Sequence, residues 1–277
     1  MKHIPLSVNA PLGNIKALER TGYDCIEPSN TDIAAMEEAE FLSAAESLEA
    51  SRLRCVVIDN PIPCSVSFAA ENWELASWED YLRLSAKRAV RLGAKYWCFG
   101  NGTSRALPGE AEADARVMEN FRAAVLLCAD ITSEHGISVI VEPLGPSVTN
   151  YLTSVAETAE YVRGLGRENI FTMVDYRWEH EQGRPISELY DNAELIVHAH
   201  IDSPAMDYKR QKIRRVPSAE DGVDYSGFFD FVKSGAFRGV MSIEANSFDD
   251  YEADLASALC FYARYGIAPE SGEREET

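Results

Sequence analysis

The chain has 277 residues, a formal net charge of −19 and 46% hydrophobic residues, enough for a sizeable core in one α/β barrel or two small domains. That charge argues against a broad nucleic-acid or anionic-membrane surface, because phosphate binding draws on clustered Lys and Arg, and it leaves small polar substrates open. Met1-Lys2-His3-Ile4-Pro5 leads straight into a short strand without a signal-like stretch, and no apolar run is long enough to span a bilayer, so a cytoplasmic protein is expected.

Short β-rich apolar runs then alternate with longer helical patterns, as expected for parallel strands joined by helical crossovers. In chain order the predicted strands are 3–8, 23–27, 53–58, 95–99, 138–142, 170–175, 195–201 and 239–244. The predicted helices are 13–21, 34–50, 76–92, 110–135, 154–165, 186–193, 225–235 and 249–265. Ser77 and Asp80 have capping-box spacing, and Gly93, Gly136 and Gly266 each follow a helix as a C-terminal cap does. With no linker between units, the pattern predicts one α/β domain, a closed (β/α)8 TIM barrel over residues 1–270 with a frayed polar tail at 271–277. Six scattered cysteines without CxxC spacing (Cys25, Cys55, Cys64, Cys98, Cys128, Cys260) read as mostly buried free thiols.

Four strand ends carry an acid or an imidazole: Glu142, Asp175, His200 and Glu244. In a barrel these ends converge on one mouth, and one divalent cation held by all four offsets the burial of each. Taken singly, Glu142 or Asp175 can cap a following helix, and His200 can be a hydrogen-bonded core residue. Their recurrence on strands 5 through 8 favours the cation. Three carboxylates and one imidazole make a hard site suited to Mn2+, with Mg2+ or Co2+ as alternatives, and offer no thiolate to favour Zn2+. His198 and His200 share a face, which places His198 one layer deeper, where a supporting role fits better than ligation.

At this point the residues resemble a known family. Val141-Glu142-Pro143-Leu144 with Thr149-Asn150, Met173-Val174-Asp175, Val197-His198-Ala199-His200-Ile201-Asp202 and Ser242-Ile243-Glu244 resemble the xylose isomerase-like barrels of the sugar phosphate isomerase/epimerase superfamily. Gly22-Tyr23-Asp24-Cys25-Ile26-Glu27 and Gly222-Val223-Asp224-Tyr225 extend the likeness over nearly the whole chain. The resemblance implies that Glu142, Asp175, His200 and Glu244 bind manganese, magnesium or cobalt, and that the barrel is often a homo-oligomer. The ketohexose epimerases of this family carry a histidine, an arginine and a second glutamate where this chain has Trp178, Met206 and Val148. The usual free-hexose site is therefore absent.

The expected activity is a metal-dependent isomerase or epimerase of a small sugar, sugar phosphate or polyol. An open cation can chelate a carbonyl and its neighbouring hydroxyl, stabilising the enediolate left when the adjacent proton departs. Glu142 and Glu244 come from separated strands and are the expected acid and base. A lyase or dehydratase, acting on an inosose or a C-glycoside, is the alternative, because elimination begins with the same proton abstraction.

Substrate contacts are expected from Arg215, Trp178 and His198. Lys209, Arg210, Lys212, Arg214 and Arg215 form a basic loop after the seventh strand, able to hold an anion or simply to balance neighbouring acids. Phe68, Trp73 and Trp78 belong to a long segment that is either a lid or helix packing, and Glu27 can be a rim salt bridge. Asn150, Lys95 and His180 are further polar candidates. A multinuclear nuclease would need more histidines, and no GxGxxG or GxSxG follows a strand, so no nicotinamide cofactor or serine nucleophile is expected. A non-catalytic barrel is disfavoured by the complete ligand set.

Overall fold

The computed structural model describes residues 3–204 and 213–269; Met206, Lys209, Arg210 and Lys212, and the expected frayed tail, lie outside the described residues. Eight parallel strands form the barrel: β1 Leu6–Asn9, β2 Cys25–Glu27, β3 Val57–Asp59, β4 Tyr96–Phe99, β5 Ser138–Val141, β6 Ile170–Asp175, β7 Ile196–Ile201 and β8 Val240–Ile243. Their hydrogen-bonded order is β2-β1-β8-β7-β6-β5-β4-β3. The seam between β2 and β3 is bridged by Ile26 N donating to Arg54 O and Asp59 N donating to Pro28 O, each at 3.0 Å. Ser203–Pro204 and Arg214–Arg215 add a short antiparallel ribbon beyond β7.

Alternation along the strands sorts the barrel interior into layers. Val57, Cys98, Ile140 and Met173 fill the interior with apolar side chains, joined by the partly buried Val197. Two residues further along their strands stand Asp59, Gly100, Glu142 and Asp175, so the apolar plug ends where the polar mouth begins. The outer faces pack on the helices through residues such as Trp97, Phe99 and Val139.

One irregularity re-aims a strand. Between β6 and β7 the register shifts: Thr172 pairs with Ile196, but Val174 pairs with Ala199 and Asp175 with His200. The extra residue lets Val197 join the apolar plug while its neighbour His198 also lies inside the barrel, as bulges near functional sites commonly do. Without it, simple counting would set Asp175 opposite Ala199 and turn His200 outward.

Three expectations about helices are corrected. The predicted helix 34–50 is two helices, α2 Asn30–Ala35 and α3 Glu38–Glu49, with Met36 extended between them. The buried Arg88 of α4 (Glu79–Leu92) explains the break: its guanidinium donates to Ile33 O at 2.6 Å and Met36 O at 2.9 Å, and pairs with Glu38 at 2.9 Å. The capping box at Ser77 does not form; residues Leu75–Trp78 make a 3-10 turn and the Ser77 hydroxyl donates to Glu74 O at 2.6 Å. A helix that was not anticipated, Tyr176–Glu181, starts directly from β6. All six cysteines are unpaired, with Cys64 and Cys260 exposed and the others buried. Among the described residues no helix is long and apolar enough to cross a membrane.

Gly239 enters β8 where a Cβ would stand 2.2 Å from Val197 O, backbone that the bulge holds in place. Gly239→Ala is expected to lower unfolding free energy by about 3 kcal/mol, the upper end for overpacking, read as a reduced urea midpoint.

Candidate metal centre and active site

Glu142 follows β5, Asp175 ends β6, His200 lies in β7 and Glu244 follows β8. Each offers one ligand atom, and these four atoms all lie within 4.8 Å of one another. His200 Nδ1 is 3.1 Å from Glu142 Oε1 and 3.5 Å from Glu244 Oε2. Asp175 also does what its singular reading suggested: its Oδ1 accepts from Arg177 N at 3.1 Å and caps the helix that follows. Capping and membership of the cluster are therefore compatible. Glu142, Asp175 and His200 are buried, whereas Glu244 is partly open to solvent.

The surroundings hold these groups rigidly. Arg105, fully buried, donates to Glu142 O at 2.6 Å, Gly100 O at 2.8 Å, Tyr151 O at 3.2 Å and Leu152 O at 3.3 Å, and it lies over the Phe121 ring. It binds carbonyls where no ladder continues. At the end of β4, a Cβ on Gly100 would fall 2.4 Å from Glu142 Oε2, so only glycine lets that carboxylate approach. Asn60 and Asn101 adopt positive φ of 52° and 48°, and are tied together by Asn101 N donating to Asn60 Oδ1 at 3.2 Å. Asn60 in turn donates to Asp59 Oδ2 at 2.6 Å, leaving the buried Asp59 Oδ1 without a hydrogen-bond partner.

The electrostatics follow from this crowding. Burial pushes Asp175 well above the usual carboxylate range, and Asp202, Glu244 and Glu142 push it further. Asp59 is raised for the same reasons, first by burial and then by Glu142 and Glu27. Burial alone would lower His200, but Glu27, Glu142 and Glu244 raise it well above its ordinary 6.5. Asp202, buried beside Arg177 and Arg214, is pushed up by burial to about 7. Three convergent carboxylates around one imidazole thus leave an excess of negative charge, and a divalent cation supplies what that donor set needs. The residues present fit such an ion.

The other expected residues are distributed differently. His198 lies inside, 3.0 Å from Glu27 Oε2 and behind His200. Trp178 is completely buried and packs with Leu144 and Val148, its ring filling the space above Gly145, so it forms the wall rather than an open stacking surface. Arg215 is exposed at the rim and pairs with Asp249 at 2.9 Å, while the preceding Arg214 pairs with Glu244. The two-residue ribbon explains the exchange, since adjacent side chains project to opposite faces.

Phe68 is fully buried, edge-on to Trp73 at 4.9 Å, and its backbone bonds to Ser104 and Asn120, which pins the expected lid segment to the barrel wall. Trp73 and Trp78 stack on each other at 5.8 Å. Asn150 spends its amide on the Leu107 backbone, and Lys95 and His180 are exposed. Residues missed as site groups are Asp59 and Arg105; of the basic loop, Arg214 rather than Arg215 reaches the site, and Glu27 is buried rather than at the rim. Asp59 carried the same signal as the others, an acid ending an apolar run, but the predicted third strand stopped one residue short.

The family model for the xylose isomerase-like TIM barrel matches residues 15–264. This chain belongs to that family. It is 24% identical over 255 residues to a ketose 3-epimerase of Arthrobacter globiformis, covering 89% of this chain and 81% of the relative. The structure of D-allulose 3-epimerase from Methylomonas sp. in complex with D-allulose superposes with a TM-score of 0.77 at 17% identity, over 96% of this chain and 98% of that one. The IOLI protein with a bound zinc atom superposes with a TM-score of 0.72 at 16% identity, over 95% and 98% of the two chains.

The charge pattern sets a pH dependence in the ion-free protein. Groups raised in the folded state (Asp59, Asp175, Asp202, His200) contribute stability below their unfolded pKa values and lose it as pH rises through the folded ones. Glu27 is the opposite case: burial opposes its charge, but His198 and His200 hold it well below the carboxylate range, so its contribution is lost only in acid. The melting temperature of ion-free protein is expected to fall between about pH 5 and about pH 8, and added Mn2+ to flatten that fall. Scanning calorimetry across pH with and without the ion reads both effects.

Proposed function

We propose that this protein is a divalent-metal-dependent isomerase or epimerase of a small sugar, sugar phosphate or polyol. The observation that carries the reading is the convergence of Glu142, Asp175, His200 and Glu244 within 4.8 Å at the mouth of a barrel. The ketose 3-epimerase relative and the allulose complex support a carbohydrate as substrate. The zinc atom of the IOLI protein supports a cation at this kind of barrel, and the oxygen-rich donor set favours manganese, with magnesium or cobalt as alternatives.

Those four residues would hold the ion, which when bound supplies Lewis-acid polarisation to a substrate carbonyl and its neighbouring hydroxyl. The protein's own groups move the proton. Glu142, after β5, and Glu244, after β8, approach His200 from separate strands, so one carboxylate can take the proton beside the carbonyl while the other returns one to the opposite face. Arg105 fixes the backbone under Glu142, and Arg214 pairs with Glu244 at the more open side. Burial excludes water from Glu142 and strengthens its interactions.

A metal-dependent lyase or dehydratase is the second reading, favoured by one observation. Val148 and Trp178, where the resemblance implies a glutamate and a histidine in ketohexose epimerases, form an apolar patch with Leu144. Such a wall suits a substrate with fewer hydroxyls on that side, such as an inosose or C-glycoside. Cytoplasmic residence and homo-oligomer formation complete the proposal.

Mn2+-loaded protein incubated in deuterated water with ketoses, sugar phosphates, inososes and C-glycosides should incorporate deuterium beside the carbonyl and yield a stereoisomer on chiral analysis. A conjugated, ultraviolet-absorbing product would instead establish elimination. Glu142→Gln and Glu244→Gln should each keep the fold by circular dichroism and lower turnover by about 10²–10⁴-fold. Nearly normal turnover in both would refute the two-base assignment.

A further inference from the structure

Glu27 is completely buried, and both of its oxygens face imidazoles: Oε1 lies 3.0 Å from His200 Nε2 and Oε2 lies 3.0 Å from His198 Nε2. A carboxylate only accepts hydrogen bonds, so an ionised Glu27 requires a proton on both Nε2 atoms. With Nε2 of His200 committed as a donor, the neutral ring carries its lone pair on Nδ1. That nitrogen is the one facing Glu142 and Glu244, in the ligand cluster.

We infer that Glu27 is a positioning residue that locks His200 in the Nε2–H tautomer and in the ring orientation that presents Nδ1 to a divalent cation. The inference rests on the metal reading of the site proposed above. Imidazole ligands generally need such a partner on the nitrogen away from the metal, because an unsupported ring divides its population between tautomers and rotates. His198 completes the device from the other side. It packs edge-on to His200, with ring centroids 4.8 Å apart at 81°, and its bond to Oε2 keeps the Glu27 carboxylate from swinging. His198 Nδ1 is buried with no hydrogen-bond partner among the described residues, so nothing on its far side fixes its own tautomer.

That asymmetry separates tautomer from charge as the cause. In Glu27→Gln the amide oxygen can still accept from His200, while the amide nitrogen turns to His198, which is able to take the other tautomer. In Glu27→Leu, His200 Nε2 has no acceptor. Calorimetric titration with Mn2+ should therefore find Glu27→Gln close to wild type and Glu27→Leu weaker by about 10–100-fold. Proton–nitrogen NMR of isotope-labelled imidazoles in Mg2+-loaded protein should show the His200 Nε2–H proton shifted downfield by its bond to the Glu27 carboxylate and moved upfield in Glu27→Gln, a readout that a purely packing role would not produce.

Equal affinity in wild type and Glu27→Leu, equal losses in both variants, or a loaded wild type whose His200 Nε2–H proton lacks the downfield shift of a bond to a carboxylate would each overturn the inference. The NMR outcome decides it even where Glu27→Leu does not fold. A wild-type protein that takes up no divalent ion removes the metal reading itself, and the inference with it.

Discussion

Like charges crowded into a dry space are the constraint on which the rest of the structure depends. Glu27, Asp59, Glu142, Asp175 and Asp202 are buried at one end of the barrel, with Glu244 at their edge. Two carboxylates at such separations repel by about 4 kcal/mol when the local dielectric is near 20. Their partial answers are visible: His200 and His198 against Glu27, Arg177 and Arg214 against Asp202, Arg214 against Glu244. Asp59 and Asp175 answer by holding their protons more tightly. A cation at the convergence point relieves several of these repulsions together, which is why the same residues that strain the ion-free protein suit it for metal chemistry.

The barrel supplies the stiffness this arrangement requires. On β3, β5 and β6 an apolar interior residue is followed two positions later by Asp59, Glu142 or Asp175, so hydrogen-bonded strand backbone aims those side chains. Where the ladders end, other groups take over. Arg105 gathers four carbonyls beneath Glu142, and Asn60 and Asn101 turn the ends of β3 and β4 in left-handed conformations. The absence of a side chain at Gly100 leaves room for the Glu142 carboxylate. These features cluster on the β3 to β5 side, opposite the more open Glu244. The candidate site thus has one rigid wall, at Glu142, and one solvent-accessible edge, at Glu244.

Family membership sets the fold, while the details point away from a plain copy of a ketohexose site. Trp178 and Val148 form an apolar wall. Arg214, from the ribbon after β7, brings a guanidinium to Glu244. Both features lie in segments following strand ends, where barrels vary substrate preference without disturbing the staves. Behind the cluster at the mouth Glu27 and His198 are completely buried, and Glu27 holds the far side of the His200 ring.

Local signals made much of this legible. An apolar β-rich run followed by an acid or histidine is encoded in adjacent residues, and its recurrence at Glu142, Asp175, His200 and Glu244 pointed to the barrel and to the four side chains that converge at its mouth. Period-two alternation placed His198 behind His200. The break between α2 and α3 was not legible because Arg88, some fifty positions away, satisfies the carbonyls there. Nor was the choice of Arg214 over Arg215, which depends on the facing of a two-residue ribbon, or the role of Arg105, whose partners come from three separate stretches of chain. The chain alone determined which elements form and which residue types end them, because propensity, periodicity and burial act between near neighbours. Only the tertiary structure decided that β7 slips by one residue to set His200 against Asp175, and that Glu27 meets two imidazoles more than 170 positions away. Register and long-range hydrogen bonding arise from the packing of whole strands, and no local pattern carries them.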